Sequence, residues 1–163
     1  MRIGITGHQE LEDPKAWDWV KPKIEELLAM IPRPVIGITC LAVGADSLFA
    51  RVVLQQNGSI EVVLPFPGYE LKLQPRERDE HRRLLNRAST VTMLERGPTD
   101  EESYFEAGKR VVDRAELLIA VWDGKPAKGL GGTADIIEYA SQESKDIIHL
   151  DPIRRVVTSS SQR

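Results

Sequence analysis

Aliphatic and β-branched residues occur along the chain in short runs, and the stretches between them carry apolar residues at helical spacing. Six of these runs have the length and the flanking turn residues of buried parallel strands. They lie at residues 2–6, 35–39, 60–64, 90–94, 116–121 and 147–150. This alternation predicts a sheet that is built from repeated strand and helix crossovers.

The segments between the runs contain start signals for helices. Asp13 followed by Pro14 is typical of an N-cap and a first helical position, and Thr99 and Glu102 have the spacing of a capping box. Helices are predicted over 13–30, 45–56, 76–88 and 99–112, and after Gly132. We therefore predict an α/β fold, a Rossmann-like three-layer α/β/α sandwich with a mainly parallel sheet of about six strands.

Composition limits the organisation and the partners. A chain of 163 residues suits one domain, to which we assign residues 1–153, with 154–163 as a disordered tail that contains three consecutive serines. The net charge of −3 provides no electropositive field, so we do not expect nucleic acid as a partner. The single cysteine, Cys40, cannot form an intrachain disulfide, and no charged and apolar leader follows Met1. No apolar run approaches the roughly 20 residues of a membrane-spanning helix. We expect a cytoplasmic protein that does not enter a membrane.

The connection after the fifth predicted strand carries the strongest signal for chemistry. Residues 123–133 begin with Asp123, contain four of the 12 glycines, and end in Gly131, Gly132 and Thr133 at the start of a helix. Glycines let backbone amides approach an anion, and the helix N-terminus adds partial positive charge. A phosphate ligand is the expectation, and a surface loop whose glycines only cap and turn is the alternative. The loop has neither the Walker A pattern nor Gly-x-Gly-x-x-Gly.

Two further loops are expected at the same edge of the sheet. Gly7 and His8 follow the first strand, and Gly44, Ala45 and Asp46 follow the second. Asp46 could cap its own helix or hold a ribose hydroxyl, and His8 could donate a hydrogen bond to a phosphate. A single histidine without a partner at ligand spacing is a poor metal site, so we expect neither a metal nor a cofactor.

Other polar and aromatic residues allow two interpretations each. His81, in a charged helix that we predict to be solvated, and His149, at a strand end, are interpreted as structural. A group of arginines could fold over the site, although a solvated helix face is favoured: Arg76, Arg78, Arg82 and Arg83. Three aromatic residues could stack on a base, although such residues more often complete a core: Tyr69, Tyr104 and Trp122.

The three loops together resemble those of the SLOG superfamily. The residues that carry this resemblance are 6–8, 41–46 and 131–133, and it extends from Gly4 to about residue 140. The superfamily includes the DNA-processing protein family, lysine-decarboxylase-like phosphoribohydrolases that release cytokinins, and sensors of nucleotide-derived signals; the nucleoside deoxyribosyltransferases are similar in their final loop. Arg51 stands where the DNA-processing signature has histidine.

The resemblance implies a Rossmann-like fold and a phosphate site at Gly131, Gly132 and Thr133. The phosphoribohydrolases and deoxyribosyltransferases carry a glutamate three residues after this threonine, and here that position is Ile136.

We therefore expect a sensor or regulatory module that binds a nucleotide-like small molecule, with a homodimer allowed. The alternative is an enzyme that cleaves or transfers at an N-glycosidic bond, with Asp123, Asp135 or Glu138 as acid or nucleophile. A DNA-handling protein is disfavoured by the net charge.

Overall fold

The computed structural model describes residues 1–161. These residues form seven strands, five α-helices and two single-turn 3-10 helices. The strands are β1 (Arg2–Gly7), β2 (Ile36–Thr39), β3 (Ser59–Leu64), β4 (Thr90–Met93), β5 (Leu117–Val121), β6 (Asp146–Asp151) and β7 (Val156–Ser160). The helices are α1 (Trp17–Ala29), α2 (Ala45–Gln55), α3 (Pro75–Leu85), α4 (Asp100–Arg114) and α5 (Thr133–Gln142), with 3-10 turns at Pro14–Ala16 and Tyr69–Lys72.

One sheet holds all seven strands in the order β4-β3-β2-β1-β5-β6-β7. Neighbouring strands are parallel except for β7, which runs antiparallel to β6. From β1 the chain moves outward through β2, β3 and β4, returns to β5, and then continues in the opposite direction. The junction of β1 and β5 is therefore the topological switch point, where open α/β sheets bind ligands.

Helices cover both faces of the sheet. Apolar residues of α1, α2 and α3 pack in one cluster that includes Ile24, Phe49 and Leu84, whereas α4 and α5 form clusters on the other face around Val112 and Ile136. The α/β sandwich predicted from the alternation of strands and helices is confirmed, with seven strands rather than about six.

The predicted start signals operate as expected. The Asp13 side chain accepts a hydrogen bond from the backbone N–H of Lys15, and Thr99 and Glu102 form both bonds of a capping box at the start of α4. Within residues 1–161, no helix is both long enough and apolar enough to cross a membrane.

The end of the chain differs from the prediction of a tail at 154–163. β7 forms at 156–160 because its backbone pairs with β6, although every one of its five residues is exposed. Val156, Val157 and Thr158 are β-branched and favour a strand, but none of them is buried, so pairing with β6 rather than burial holds β7. Residues 162–163 lie outside the described part of the chain.

We predict that Thr99→Ala lowers the free energy of unfolding by about 1 kcal/mol, because an N-cap hydroxyl satisfies an otherwise unpaired N–H of the first turn. The bond in question joins Glu102 N to Thr99 Oγ1 over 3.1 Å. Urea unfolding provides the measurement. Thr99→Ser retains the hydroxyl and should keep most of the stability, and equal losses in both variants would contradict the capping role.

Candidate functional site

A cleft of about 1160 Å³ opens at the carboxyl end of the sheet, over the junction of β1 and β5. The loops that follow β1, β2 and β5 line it, together with the segment after β3, one face of α4 and the turn between β6 and β7. This is the edge at which the sequence predicted a site, because the carboxyl ends of parallel strands share one edge of the sheet.

Gly7 and His8 lie where the three loops meet. A Cβ at Gly7 would lie 2.6 Å from Cβ of Ala45 and 2.9 Å from Cβ of Val121, so a side chain has no space there. The backbone N–H of His8 donates to Val121 O over 3.1 Å, and His8 O accepts from Ala45 N over 3.1 Å. The backbone of His8 therefore ties the loop after β1 to both β5 and α2.

The His8 imidazole contacts Asp123 across the switch point. His8 Nε2 accepts a hydrogen bond from the backbone N–H of Asp123 over 3.2 Å and lies 3.0 Å from Asp123 Oδ1. Burial opposes ionisation of Asp123, but the Lys125 N–H and the His8 side chain together outweigh it and lower the pKa of this carboxyl. The cleft thus holds an ionised carboxylate beside an imidazole.

Gly44 and Ala45 belong to the loop after β2 but do not themselves line the cleft. Gly44 has a φ of 84°, and a Cβ there would lie 2.3 Å from Gln9 O and 2.5 Å from His8 O. Ala45 is fully buried. These two predicted binding residues hold the loop after β2 against the loop after β1, and ligand contact by them stays a prediction.

The Asp46 side chain stabilises the loop after β2 by hydrogen bonds from the buried side. Its Oδ2 accepts hydrogen bonds from Thr39 Oγ1 over 3.1 Å and from Cys40 N over 3.0 Å. Burial of this 6% exposed residue raises the pKa of its carboxyl to about 6, although the hydrogen bonds oppose that change. These bonds give Asp46 a structural role, and because it also lines the cleft, its contact with a ribose stays a prediction.

A carboxylate of α5 fixes one end of the glycine-rich loop at residues 123–133. Gly131 has a φ of 84°, and its N–H donates to Asp135 Oδ2 over 2.8 Å. A Cβ at Gly131 would lie 2.9 Å from both Glu101 O and Phe105 N, so the loop packs directly on the backbone of α4. The Gly131 amide, predicted to contact phosphate, is occupied by Asp135.

The next amides remain open. Gly132 is the N-cap of α5 and offers no side chain to the helix end. Within residues 1–161, no hydrogen-bond acceptor meets the N–H groups of Gly132, Thr133 and Ala134, all of which line the cleft. We call these three N–H groups the amide site.

The acidic candidates have separate locations. Asp123 lines the cleft, Asp135 bonds to Gly131, and Glu138 is exposed on α5 away from the cleft. Ile136 is 3% exposed and packs on Gly108 of α4, where an added Cβ would lie 2.3 Å from Ile136 Cδ1. Hydrocarbon therefore occupies the place in which the resembling glycosidic enzymes carry glutamate.

Five further residues line the cleft, and for the three aromatic ones the sequence left a choice between contact with a base and a place in the core. Tyr69 and Lys72 from the 3-10 turn and Tyr104 from α4 line the cleft, as do Trp122 and Arg155. The sequence signal was aromatic residues near strand ends, which is also the signal of a core. Four arginines, for which a solvated helix face is favoured over a lid, do not line the cleft: Arg76, Arg78, Arg82 and Arg83.

His81 is not on a solvated face. It is 4% exposed, its Nδ1 lies 3.4 Å from Leu41 O, and its ring makes an edge contact with Tyr69. Burial lowers its pKa. The charged residues around it in sequence point elsewhere, because one helix face packs inward while the others remain solvated.

His149 Nε2 lies 2.7 Å from Trp122 O, in agreement with a structural role. Among residues 1–161, no three side chains of metal-ligating type are grouped to hold an ion.

Comparison with solved structures assigns the fold. DNA processing protein A from Streptococcus pneumoniae superposes with a TM-score of 0.64 at 15% identity, over 91% of this chain and 49% of that one. DNA processing protein A from Helicobacter pylori gives 0.65 at 13% identity, over 91% and 64%, and the structural-genomics protein TM1055 gives 0.58 at 12% identity, over 90% and 71%. This chain therefore shares the α/β fold of these three structures.

The chain spans about half to two thirds of the length of the two DNA processing proteins. No protein-family profile and no curated protein sequence matches it.

The expectation that nucleic acid is not a partner is wrong as an inference from net charge. The Helicobacter pylori protein of this fold is described by its single-stranded DNA binding mode. A negative total charge does not prevent local phosphate contacts, because the exposed cations at one edge of a fold act over about a Debye length of 10 Å or less.

We predict that ionisation of Asp46 costs folding stability on the order of 3 kcal/mol. Its folded pKa of about 6 lies above the ordinary 3.8. The stabilising contribution of the protonated form is therefore complete below about pH 4 and is lost as the pH rises through 6.

Urea unfolding of the wild type and of Asp46→Asn between pH 4 and 7 measures this dependence. As the pH rises from 4 to 7, the free energy of unfolding of the wild type should fall relative to that of Asp46→Asn. A difference that is constant with pH would show that Asp46 titrates normally.

Proposed function

We propose that this protein binds the phosphate of a nucleotide or nucleotide-derived small molecule at the carboxyl edge of its sheet, as a sensor or regulatory module. The observation that carries the proposal is the amide site. Three N–H groups, those of Gly132, Thr133 and Ala134, enter one cleft at the switch point without protein acceptors. Amides at a helix N-terminus favour a negative ligand because the dipole of α5 adds partial positive charge.

Nearby cations support an anionic ligand. Lys128 and Arg155 line the cleft, are exposed, and form no ion pair with any side chain of residues 1–161. Lys125 is instead held by Glu12 over 3.2 Å, with Asp123 at 3.8 Å. Two unpaired cations in the same cleft as three open amides suit a phosphate better than a neutral ligand.

Ile136 and the placement of the carboxylates support binding over hydrolysis. A developing positive charge at an anomeric carbon needs a nearby anion or nucleophile, which a hydrocarbon side chain does not supply. Asp135 is occupied by the Gly131 N–H, and Glu138 lies outside the cleft.

We predict that Gly132→Ala weakens binding of ribose 5-phosphate and nucleoside monophosphates at least about tenfold, a loss of about 1.4 kcal/mol. A Cβ at Gly132 would lie 2.9 Å from Ala127 Cβ, so the loop must move away from α5. Isothermal titration calorimetry provides the measurement.

Gly129→Ala is the matched control, because a Cβ there meets no atom within 4 Å. The control should bind as the wild type does. Equal affinities in both variants would remove the amide site as the phosphate site. A short single-stranded oligonucleotide, tested beside the monophosphates, shows whether the phosphate that binds belongs to a strand, as in the Helicobacter pylori protein.

An N-glycosidic enzyme is the second candidate, and the His8–Asp123 pair favours it. His8 Nε2 and Asp123 Oδ1 lie 3.0 Å apart inside the cleft. An imidazole can transfer protons, and the Asp123 carboxyl beside it has a lowered pKa. Of the three acidic candidates, Asp123 alone lines this cleft.

We predict that release of free base from nucleoside monophosphates is slow or absent, because Ile136 replaces the carboxylate of the resembling enzymes. Incubation with a purine and pyrimidine panel, followed by chromatography for free base, measures it. Rapid turnover that disappears in Asp123→Asn would assign the protein to the enzymes and identify the acidic group.

A further inference from the structure

The hydroxyl of Tyr69 is a polar group without a protein partner. The residue is 5% exposed, and no hydrogen bond joins its oxygen to any atom of residues 1–161. His81 Nε2 is the one fully enclosed side-chain polar atom without a partner in this part of the chain, so the Tyr69 oxygen is not fully enclosed. Because Tyr69 lines the cleft, its hydroxyl meets the cleft.

Three rings hold this hydroxyl in place. Phe66, His81 and Tyr104 make edge contacts with the Tyr69 ring, with centroids 5.9, 5.8 and 6.1 Å away. Such packing fixes the ring, so the oxygen occupies one position before any ligand arrives. Burial also raises the pKa of the phenol, and the group therefore keeps its proton at neutral pH. It can both donate and accept a hydrogen bond.

The surroundings of Tyr69 suit an uncharged ring. Pro65, Leu73 and Ala107 provide apolar walls. Lys72, at the end of the same 3-10 turn, is held by Asp100 over 2.7 Å, and the Asp46 carboxyl disfavours a negative charge on Tyr69. A second phosphate is therefore a poor occupant, whereas a planar group with polar edges is a good one.

The geometry of α4 connects this place to the amide site. Gly131 packs on the Glu101–Phe105 turn of α4, and Tyr104 belongs to that turn. From there to Tyr69 is 6.1 Å between ring centroids. Ala107 and Gly108, one turn further along α4, also line the cleft, so α4 contributes to the same cleft as the amide site.

We propose that the Tyr69 hydroxyl and the Tyr104 ring form a second subsite of the cleft, which binds the uncharged heteroaromatic base of a ligand whose phosphate occupies the amide site. The inference rests on the proposed function, since it presupposes a phosphate at α5. It adds recognition of the base, because a site for phosphate alone does not distinguish one base from another. Tyr69 is the specificity-determining residue of this subsite, because its fixed hydroxyl selects a ring edge that can complete its hydrogen bonding.

Isothermal titration calorimetry with AMP, GMP, CMP, UMP and ribose 5-phosphate tests the subsite. In the wild type, at least one nucleoside monophosphate should bind about tenfold more tightly than ribose 5-phosphate. Tyr69→Phe removes one oxygen and keeps the ring, so it should lose about tenfold affinity for that nucleotide and none for ribose 5-phosphate. Its stability in urea should equal that of the wild type, because the oxygen has no protein partner.

Tyr139→Phe is the matched control, since the Tyr139 hydroxyl donates to Asp113 Oδ1 over 2.8 Å outside the cleft. It should bind every probe as the wild type does. Nucleotide affinity that is unchanged in Tyr69→Phe, or equal for nucleotides and ribose 5-phosphate in the wild type, would overturn the base subsite and leave the phosphate site intact. Absence of binding for all five probes would overturn the proposed function and the subsite together.

Discussion

The close approach of β1 and β5 is the constraint on which the rest of this structure depends. These strands pair in parallel from Ile3 and Leu117 to Gly7 and Val121, and they end at the same level. A side chain at Gly7 would prevent this approach, because Ala45 and Val121 already occupy the space. The chain leaves the two strands in opposite directions, and the crevice between the departing loops becomes the cleft.

Three aspartates near the cleft differ in function because their surroundings differ. Asp46 is buried under the loop after β2 and has a raised pKa. Asp123 accepts a hydrogen bond from Lys125 N, lies 3.0 Å from His8 Nε2 and has a lowered pKa. Asp135 holds the Gly131 amide and thereby positions the loop that precedes α5. One residue type thus supports a loop, supplies a charge to the cleft, and fixes the entrance of a helix.

The lining of the cleft combines groups that suit an anion with aromatic side chains. Open amides of α5 and the cations Lys128 and Arg155 belong to it, as does Tyr69. On the proposed function, a ligand with an anionic group and a planar polar group would use both kinds of contact. The amides follow the loop after β5, whereas Tyr69 belongs to the segment after β3.

Local physical chemistry made much of this protein predictable from its sequence. Apolar runs identified six strands, the Thr99 and Glu102 spacing identified a helix start, and glycines after strands identified the edge that holds the cleft, because each signal acts within a few residues. Tertiary structure alone decided that β7 forms, that His81 is buried and that Asp135 occupies the Gly131 amide. It also placed Tyr69 in the lining of the cleft. These outcomes depend on backbone pairing and packing between residues distant in sequence, which no local pattern encodes.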